Sequence, residues 1–110
     1  MSSVKHYLLV ESYPSHPLRL EEFDQWYDEV HIPEVVALDG IVGATRLSPA
    51  DPDGGAFIVL YELEGDPHQA VQNIHAAAAA QQLTMSDVLS LGPIPKMRIM
   101  EVHSEYTKPR

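Results

Sequence analysis

The chain has 110 residues, of which 45% are apolar, contains no cysteine and carries a formal net charge of -9. The length suits one domain spanning residues 1–110, and the apolar fraction excludes a disordered chain. The absence of cysteine excludes disulfides and cysteine-ligated metals, and the acidity argues against nucleic acid or anionic membranes as partners. Because no secretory run and no apolar stretch of membrane-spanning length is found, we expect a cytoplasmic location.

The first part of the chain predicts a strand, a loop and a helix. Residues 4–12 alternate in the manner of a strand, and two prolines make residues 13–19 a loop. Apolar side chains then recur at helical spacing from Leu20 to His31. Pro33 is expected to break or restart this helix, because proline disfavours helical geometry in the residue before it.

The middle of the chain predicts a hairpin. After the turn signal Asp39-Gly40, residues 41–48 indicate a second strand. Residues 49–55 are rich in proline, aspartate and glycine, which favours a turn. Residues 56–63 are rich in β-branched and aromatic side chains and predict the clearest strand of the chain.

The last part of the chain predicts a second helix and a fourth strand. Asp66 is placed as an N-cap, with Pro67 at the first helical position and the helix running to about Leu83. A loop over residues 84–95 precedes the predicted strand at residues 96–103. The order of elements is therefore β-α-β-β-α-β, an α+β domain with a four-stranded antiparallel sheet.

The predicted strands are apolar on both faces, although two helices can cover only one face of a sheet. In the third strand Phe57 and Val59 point to one side, whereas Ile58 and Leu60 point to the other. An exposed apolar sheet face usually marks an interface, so we expect a homodimer in which two sheets pack face to face. The alternative is a monomer in which a loop or the C-terminal tail covers that face.

The segment FDQWYDEVHIP, residues 23–33, carries a W-Y-x-x-x-H-x-P pattern in Trp26, Tyr27, His31 and Pro33. It resembles the first helix of the dimeric α/β-barrel superfamily, in particular its EthD-like small proteins. The resemblance implies a ferredoxin-like fold, dimerisation into an α/β barrel, and a pocket between helices and sheet. It does not imply one reaction, since that superfamily includes oxygenases, isomerases, cyclases, haem-degrading enzymes and members without known activity.

His31 follows Tyr27 by four residues, so both side chains lie on one face of the predicted helix. Histidine exchanges protons near neutral pH, and a tyrosine hydroxyl can donate a hydrogen bond to a carbonyl or enolate oxygen. We therefore interpret His31 and Tyr27 as candidate catalytic residues. The structural alternative is that His31 caps the helix C-terminus and Tyr27 belongs to the core.

A ligand-binding pocket is predicted around this pair. Its candidate lining residues come from both helices and the third strand: Phe23, Trp26, Tyr61, Val71, His75 and Ala78. The alanine run after His75 either packs closely against the sheet or leaves room for a ligand. Strand alternation alone does not decide which face Tyr61 occupies.

The histidine spacing offers no metal-binding motif, and no glycine-rich phosphate loop or nucleophile motif is present. We therefore predict no metal and no cofactor. The leading hypothesis is a small cofactor-independent enzyme that acts on an apolar or aromatic carbonyl compound by proton transfer of the isomerase, cyclase or oxygenase kind, with His31 as general base or acid and Tyr27 as hydrogen-bond donor. The alternatives are a non-catalytic or stress-associated protein that binds a small molecule, and a haem-binding member of the same superfamily.

Overall fold

The computed structural model describes residues 4–51, 54–92 and 94–110; residues 52 and 53 of the predicted 49–55 turn lie outside this description. The described residues form four strands, three α-helices, a short 3₁₀ turn and one π-turn. The main elements in chain order are β1 (His6–Ser12), α1 (Leu20–Trp26), the π-turn (Tyr27–His31), α2 (Ile32–Val36), β2 (Ile41–Leu47), β3 (Phe57–Leu63), α3 (Pro67–Ala79) and β4 (Lys96–Glu101).

The strands form one antiparallel sheet in the order β2-β3-β1-β4, with β1 and β3 at its centre. Leu8 lies opposite Tyr61 on one side and Ile99 on the other. In β1 the residues Leu8, Val10 and Ser12 are buried, whereas those between them are only half-buried. This alternation is what a sheet with helices on one face produces, and the predicted α+β class with an antiparallel sheet is confirmed.

The first helical segment does not end at about His31, as predicted, and it is not interrupted at Pro33. It continues without a break from α1 through the π-turn into α2, which ends at Val36. The amide of Ile32 donates to the carbonyl of Tyr27, five residues back, so the helix is locally widened just before the proline. Pro33 then occupies the first turn of α2, where its missing amide hydrogen costs little.

The second helix starts as predicted and ends earlier. The Asp66 carboxylate accepts the amides of His68 at 2.9 Å and Gln69 at 3.4 Å. Instead of reaching Leu83, the helix ends at Ala79, and Gln81 adopts a left-handed φ of 58°. The Gln82 amide donates to the Ala77 carbonyl, the bond of a Schellman motif, which satisfies the end of the helix.

The face of α3 that packs on the sheet is also rotated from the predicted one. Its buried residues are Ala70, Ile74 and Ala77, whereas Val71 is half-buried and His75 and Ala78 are exposed. Gly40 fixes this orientation, because its φ is +89° and a Cβ there would lie 2.9 Å from the Cβ of Ala70. The turn at Asp39-Gly40 therefore lets α3 approach the sheet closely.

The other face of the sheet carries no helix in the described part of the chain. Leu9 and Leu60 lie opposite one another at its centre, and Val42, Leu47 and Met100 are 46%, 47% and 40% exposed. By register its charged residues are acidic on the central strands and basic on β4: Glu11, Glu62, Lys96 and Arg98. Among the described residues, no helix is long and apolar enough to span a bilayer.

Candidate functional site

A cavity of about 160 Å³ lies between the helix-covered face of the sheet and the helices. Its floor consists of strand residues: Leu8, Val10, Tyr61 and Met97. The first helical segment contributes Tyr27, His31 and Val35, and α3 contributes Ile74, His75 and Ala78. The segments that follow α3 close one side with Leu83, Met85, Leu89 and Pro95. The wall is almost wholly apolar, so the few polar side chains in it determine its chemistry.

His31 is the last residue of the π-turn and is half-buried in the cavity wall. Its ring stacks on Trp26 with centroids 4.6 Å apart and meets Tyr27 edge-on at 5.5 Å. Because the helical segment continues to Val36, His31 does not lie at its C-terminus and cannot cap it there. Among the described residues its Nδ1 atom is buried without a hydrogen-bond partner.

Burial lowers the pKa of His31, and the nearby Glu34 carboxylate only partly opposes this effect. The imidazole is therefore neutral near pH 7 and able to accept a proton. The Glu34 carboxylate is engaged elsewhere, since it accepts the Thr84 amide at 2.7 Å and the Thr84 hydroxyl at 2.8 Å. A neutral base with a free buried nitrogen is what proton abstraction requires.

Tyr61 lies on the helix-covered face of β3 and is 3% exposed. Its hydroxyl is buried and has no hydrogen-bond partner within the described ranges. Burial raises its pKa, with a further contribution from Tyr27, so the hydroxyl keeps its proton. A buried hydroxyl without a partner is costly, and a ligand oxygen in the cavity would supply the missing acceptor.

Tyr27, the other residue predicted to act in catalysis, already has a protein partner. Its hydroxyl lies 2.7 Å from the Ser12 hydroxyl, and both residues are buried. The Arg46 guanidinium lies 5.0 Å from the Tyr27 ring and pairs with Asp24 at 2.6 Å and Asp28 at 3.5 Å. Burial raises the pKa of Tyr27, while Ser12 and Arg46 act in the opposite direction.

Three of the predicted lining residues do not line the cavity. Phe23 is fully buried, with its ring 5.0 Å from Tyr27 and 5.2 Å from Phe57. Trp26 donates its indole N–H to the Thr84 carbonyl at 3.0 Å, which ties the segment after α3 to α1. Val71 follows the buried Ala70 of α3 and is itself only half-buried. The structure thus brings His31, Tyr27, Tyr61, His75 and Ala78 together around the cavity.

The residues at the exposed side of the cavity include two that sequence reasoning missed. Met85 and Met97 line it and are 58% and 48% exposed. Ser12 was also missed, although it shares the alternation of Leu8 and Val10 and so belongs on the helix-covered face. Strand parity could have identified Ser12, whereas nothing local in the sequence identifies Met85.

Within residues 4–51, 54–92 and 94–110, no three histidine, aspartate or glutamate side chains come together in a way that could hold a metal ion. In the comparisons with known proteins, no family model matches the sequence, and no match was found among curated proteins or solved structures.

Proposed function

We propose that the protein is a small cofactor-independent enzyme that transfers a proton within an apolar or aromatic carbonyl compound bound in the cavity. The observation that carries this proposal is that two residues lining the same apolar cavity, His31 and Tyr61, each hold a buried polar atom, the Nδ1 and the hydroxyl respectively. Neither has a partner among the described residues, and one is a base while the other is a donor. A substrate with an acidic C–H and a carbonyl oxygen would satisfy both.

In the proposed reaction His31 removes a proton from the carbon beside the carbonyl group. The electron pair of that C–H bond moves to the carbonyl oxygen, and the Tyr61 hydroxyl donates a hydrogen bond to the developing negative charge. His31 then exchanges this proton with solvent and reprotonates the same carbon, or, where a double bond is conjugated with the enolate, protonates the far end of the conjugated system, so the net change is an exchange or an isomerisation. Tyr27 was the donor expected from the sequence; Tyr61 replaces it because Ser12 already engages the Tyr27 hydroxyl.

Exchange of α-hydrogens for deuterium tests this proposal without knowledge of the natural substrate. We would incubate the protein with acetone, cyclohexanone or acetophenone in D₂O and follow the loss of the α-proton signals by NMR. The variant His31→Gln should lower the enzyme-dependent rate about 10²–10⁴-fold, the usual effect of removing a general base. The control His68→Gln changes an exposed histidine of α3 and should retain the parent rate.

Two results would contradict proton transfer at this site. One is a parent protein that exchanges none of the three ketones faster than buffer does. The other is a His31→Gln variant as active as the parent. Tyr61→Phe should also slow the exchange while leaving the fold intact, because it removes a hydroxyl that has no partner among the described residues.

A non-catalytic binding protein is the second candidate, because an apolar cavity supports binding whether or not turnover follows. Ligand binding without exchange would favour it, and the same NMR samples report both. Haem has less support: the cavity of about 160 Å³ is smaller than the ~300–1,000 Å³ usual for drug-sized ligands. A Soret band after incubation with haem would revive that alternative.

We further propose that two copies pair through the uncovered sheet face, as the EthD-like dimeric α/β barrels with their ferredoxin-like subunits do. The order β2-β3-β1-β4, the W-Y-x-x-x-H-x-P motif and the half-exposed Leu47 and Met100 support this. Acidic central strands and a basic β4 on one face suit self-complementary pairing about a twofold axis.

Light scattering tests the pairing. The parent should scatter as a dimer at micromolar concentration, whereas a species of 12.2 kDa would contradict it. Leu60→Glu places a charge at the centre of the uncovered face and should give a folded monomer. The control Gln72→Glu adds the same charge on the exposed side of α3 and should remain dimeric.

A further inference from the structure

We infer that the cavity takes an uncharged compound of about one six-membered ring, with a single acceptor oxygen that is bound at the Tyr61 hydroxyl. This inference rests on the proposed function, because it names the substrate class of the same site.

The size of the ligand follows from the cavity volume of about 160 Å³. An apolar protein cavity of about 150 Å³ holds one benzene molecule, so the space here suits a single ring or a branched chain of similar bulk. Ala78 is the smallest of the α3 residues that line the cavity, and a larger side chain there would fill part of the space. Two fused rings exceed this volume.

The charge of the ligand follows from the wall. Within the described residues, no aspartate, glutamate, lysine or arginine lines the cavity. Arg46 lies 5.0 Å from the Tyr27 ring, does not line the cavity and is already paired with Asp24 and Asp28. A carboxylate or ammonium group brought inside would lose its hydration and gain no counter-charge, which is strongly unfavourable. The ligand is therefore uncharged, and a carboxylic acid is excluded despite its similar size.

The polarity of the ligand follows from the buried polar groups that lack a hydrogen-bond partner. Among the described residues, the Tyr61 hydroxyl and the His31 Nδ1 are the buried polar atoms of cavity-lining residues without a hydrogen-bond partner, whereas the Tyr27 and Ser12 hydroxyls share one hydrogen bond. One acceptor oxygen is therefore sufficient, and each further polar group would be buried against an apolar wall. At the exposed side Met85 and Met97 suit passage of such a compound, since methionine side chains adapt readily to different shapes.

A binding experiment separates these three properties. Amide chemical shifts of ¹⁵N-labelled protein would be titrated at pH 7.5 with cyclohexanone, benzene, cyclohexanecarboxylate and 2-decalone. Cyclohexanone should bind with a dissociation constant of about 1 mM or tighter, an ordinary affinity for seven heavy atoms. The carboxylate and the two-ring ketone should bind at least about tenfold more weakly, because of buried charge and excess volume respectively.

Matched variants locate the ligand. Tyr61→Phe should weaken cyclohexanone about 3- to 10-fold, the usual worth of one hydrogen bond, and leave benzene unchanged. Ala78→Phe should abolish binding by filling the cavity from the exposed side of α3. The control Ala76→Phe adds the same ring at an exposed α3 position that does not line the cavity, and it should bind as the parent does.

The outcomes separate the ligand class from the proposed reaction. Cyclohexanone that binds as described but is not exchanged would uphold the ligand class and overturn proton transfer. Exchange that is equally fast for 2-decalone would uphold proton transfer and overturn the size limit. Tighter binding of cyclohexanecarboxylate than of cyclohexanone, no binding of cyclohexanone, or binding unaffected by Ala78→Phe would overturn the inference itself.

Discussion

The two helical walls of the cavity differ in composition and in how they are held. The first helical segment packs Phe23, Trp26 and Tyr27 ring against ring and is tied down by side-chain hydrogen bonds. Helix α3 opposes it with small side chains, and only Ala70, Ile74 and Ala77 are buried. The first wall can hold a base in a fixed position, whereas the second leaves space. This division matches a site in which one wall performs chemistry and the other limits size.

Truncating one side chain in each wall should reveal the largest difference between them. Phe23→Ala should lower the free energy of unfolding by about 3–5 kcal/mol, because it removes a fully buried ring from the aromatic cluster. Val71→Ala in α3 should lower it by less than about 1.5 kcal/mol, since that side chain is only half-buried. Urea unfolding followed by circular dichroism measures both. Equal losses would show that the walls do not differ in this way.

The hydrogen bond between Ser12 and Tyr27 allows a finer comparison within the first wall. Ser12→Ala leaves the Tyr27 hydroxyl buried without this partner and should lower the free energy of unfolding by about 1–3 kcal/mol. The double variant Ser12→Ala with Tyr27→Phe removes both hydroxyls and should recover most of that loss. If the double variant instead lowers the free energy of unfolding by the sum of the Ser12→Ala and Tyr27→Phe effects, the hydrogen bond between the two hydroxyls does not explain the loss.

Much of the sheet was predictable because its signal is local. Alternating residues in β1 and β3 predicted both strands to within two residues at each end, and Asp66 with Pro67 predicted the start of α3. The π-turn was not predicted, since proline normally interrupts a helix and the compensating widening depends on the backbone of the preceding turn. The early end of α3 was not predicted because Gln81, which follows it, takes a left-handed conformation that usually belongs to glycine.

The candidate site was partly predictable because part of its signal is also local in the sequence. His31 and Tyr27 were identified from spacing along one helix, and the structure does place both at the cavity. The partner of Tyr27, Ser12, lies 15 residues away on β1, and Tyr61 lies on the neighbouring central strand β3. Such pairings depend on strand order and register, which a single sequence does not specify. The hydroxyl left without a partner, which decides the proposed donor, could therefore be found only in three dimensions.

The smallest expected effect concerns the protonation of His31 and tests whether the first wall holds a neutral base. Its pKa is lowered in the folded protein, so below about 6.5 the unfolded chain binds more protons than the folded one. Stability should then fall as the pH is lowered from 7.5 to 5.5, by no more than about 1.4 kcal/mol per pH unit for one proton. Glu34 acts in a separate range, because its lowered pKa supports stability that is lost only below about 4.5.

His31→Gln should flatten the dependence between pH 7.5 and 5.5 and leave the loss below pH 4.5 in place, as followed by urea unfolding at each pH. His68→Gln, at an exposed position of α3, should keep the slope of the parent. A His31→Gln variant with the parent slope would show that the ring takes up protons as readily in the folded protein as in the unfolded chain. The aromatic wall would then hold a charged imidazole at mildly acidic pH, and a donor to the substrate rather than a base would have to be sought there.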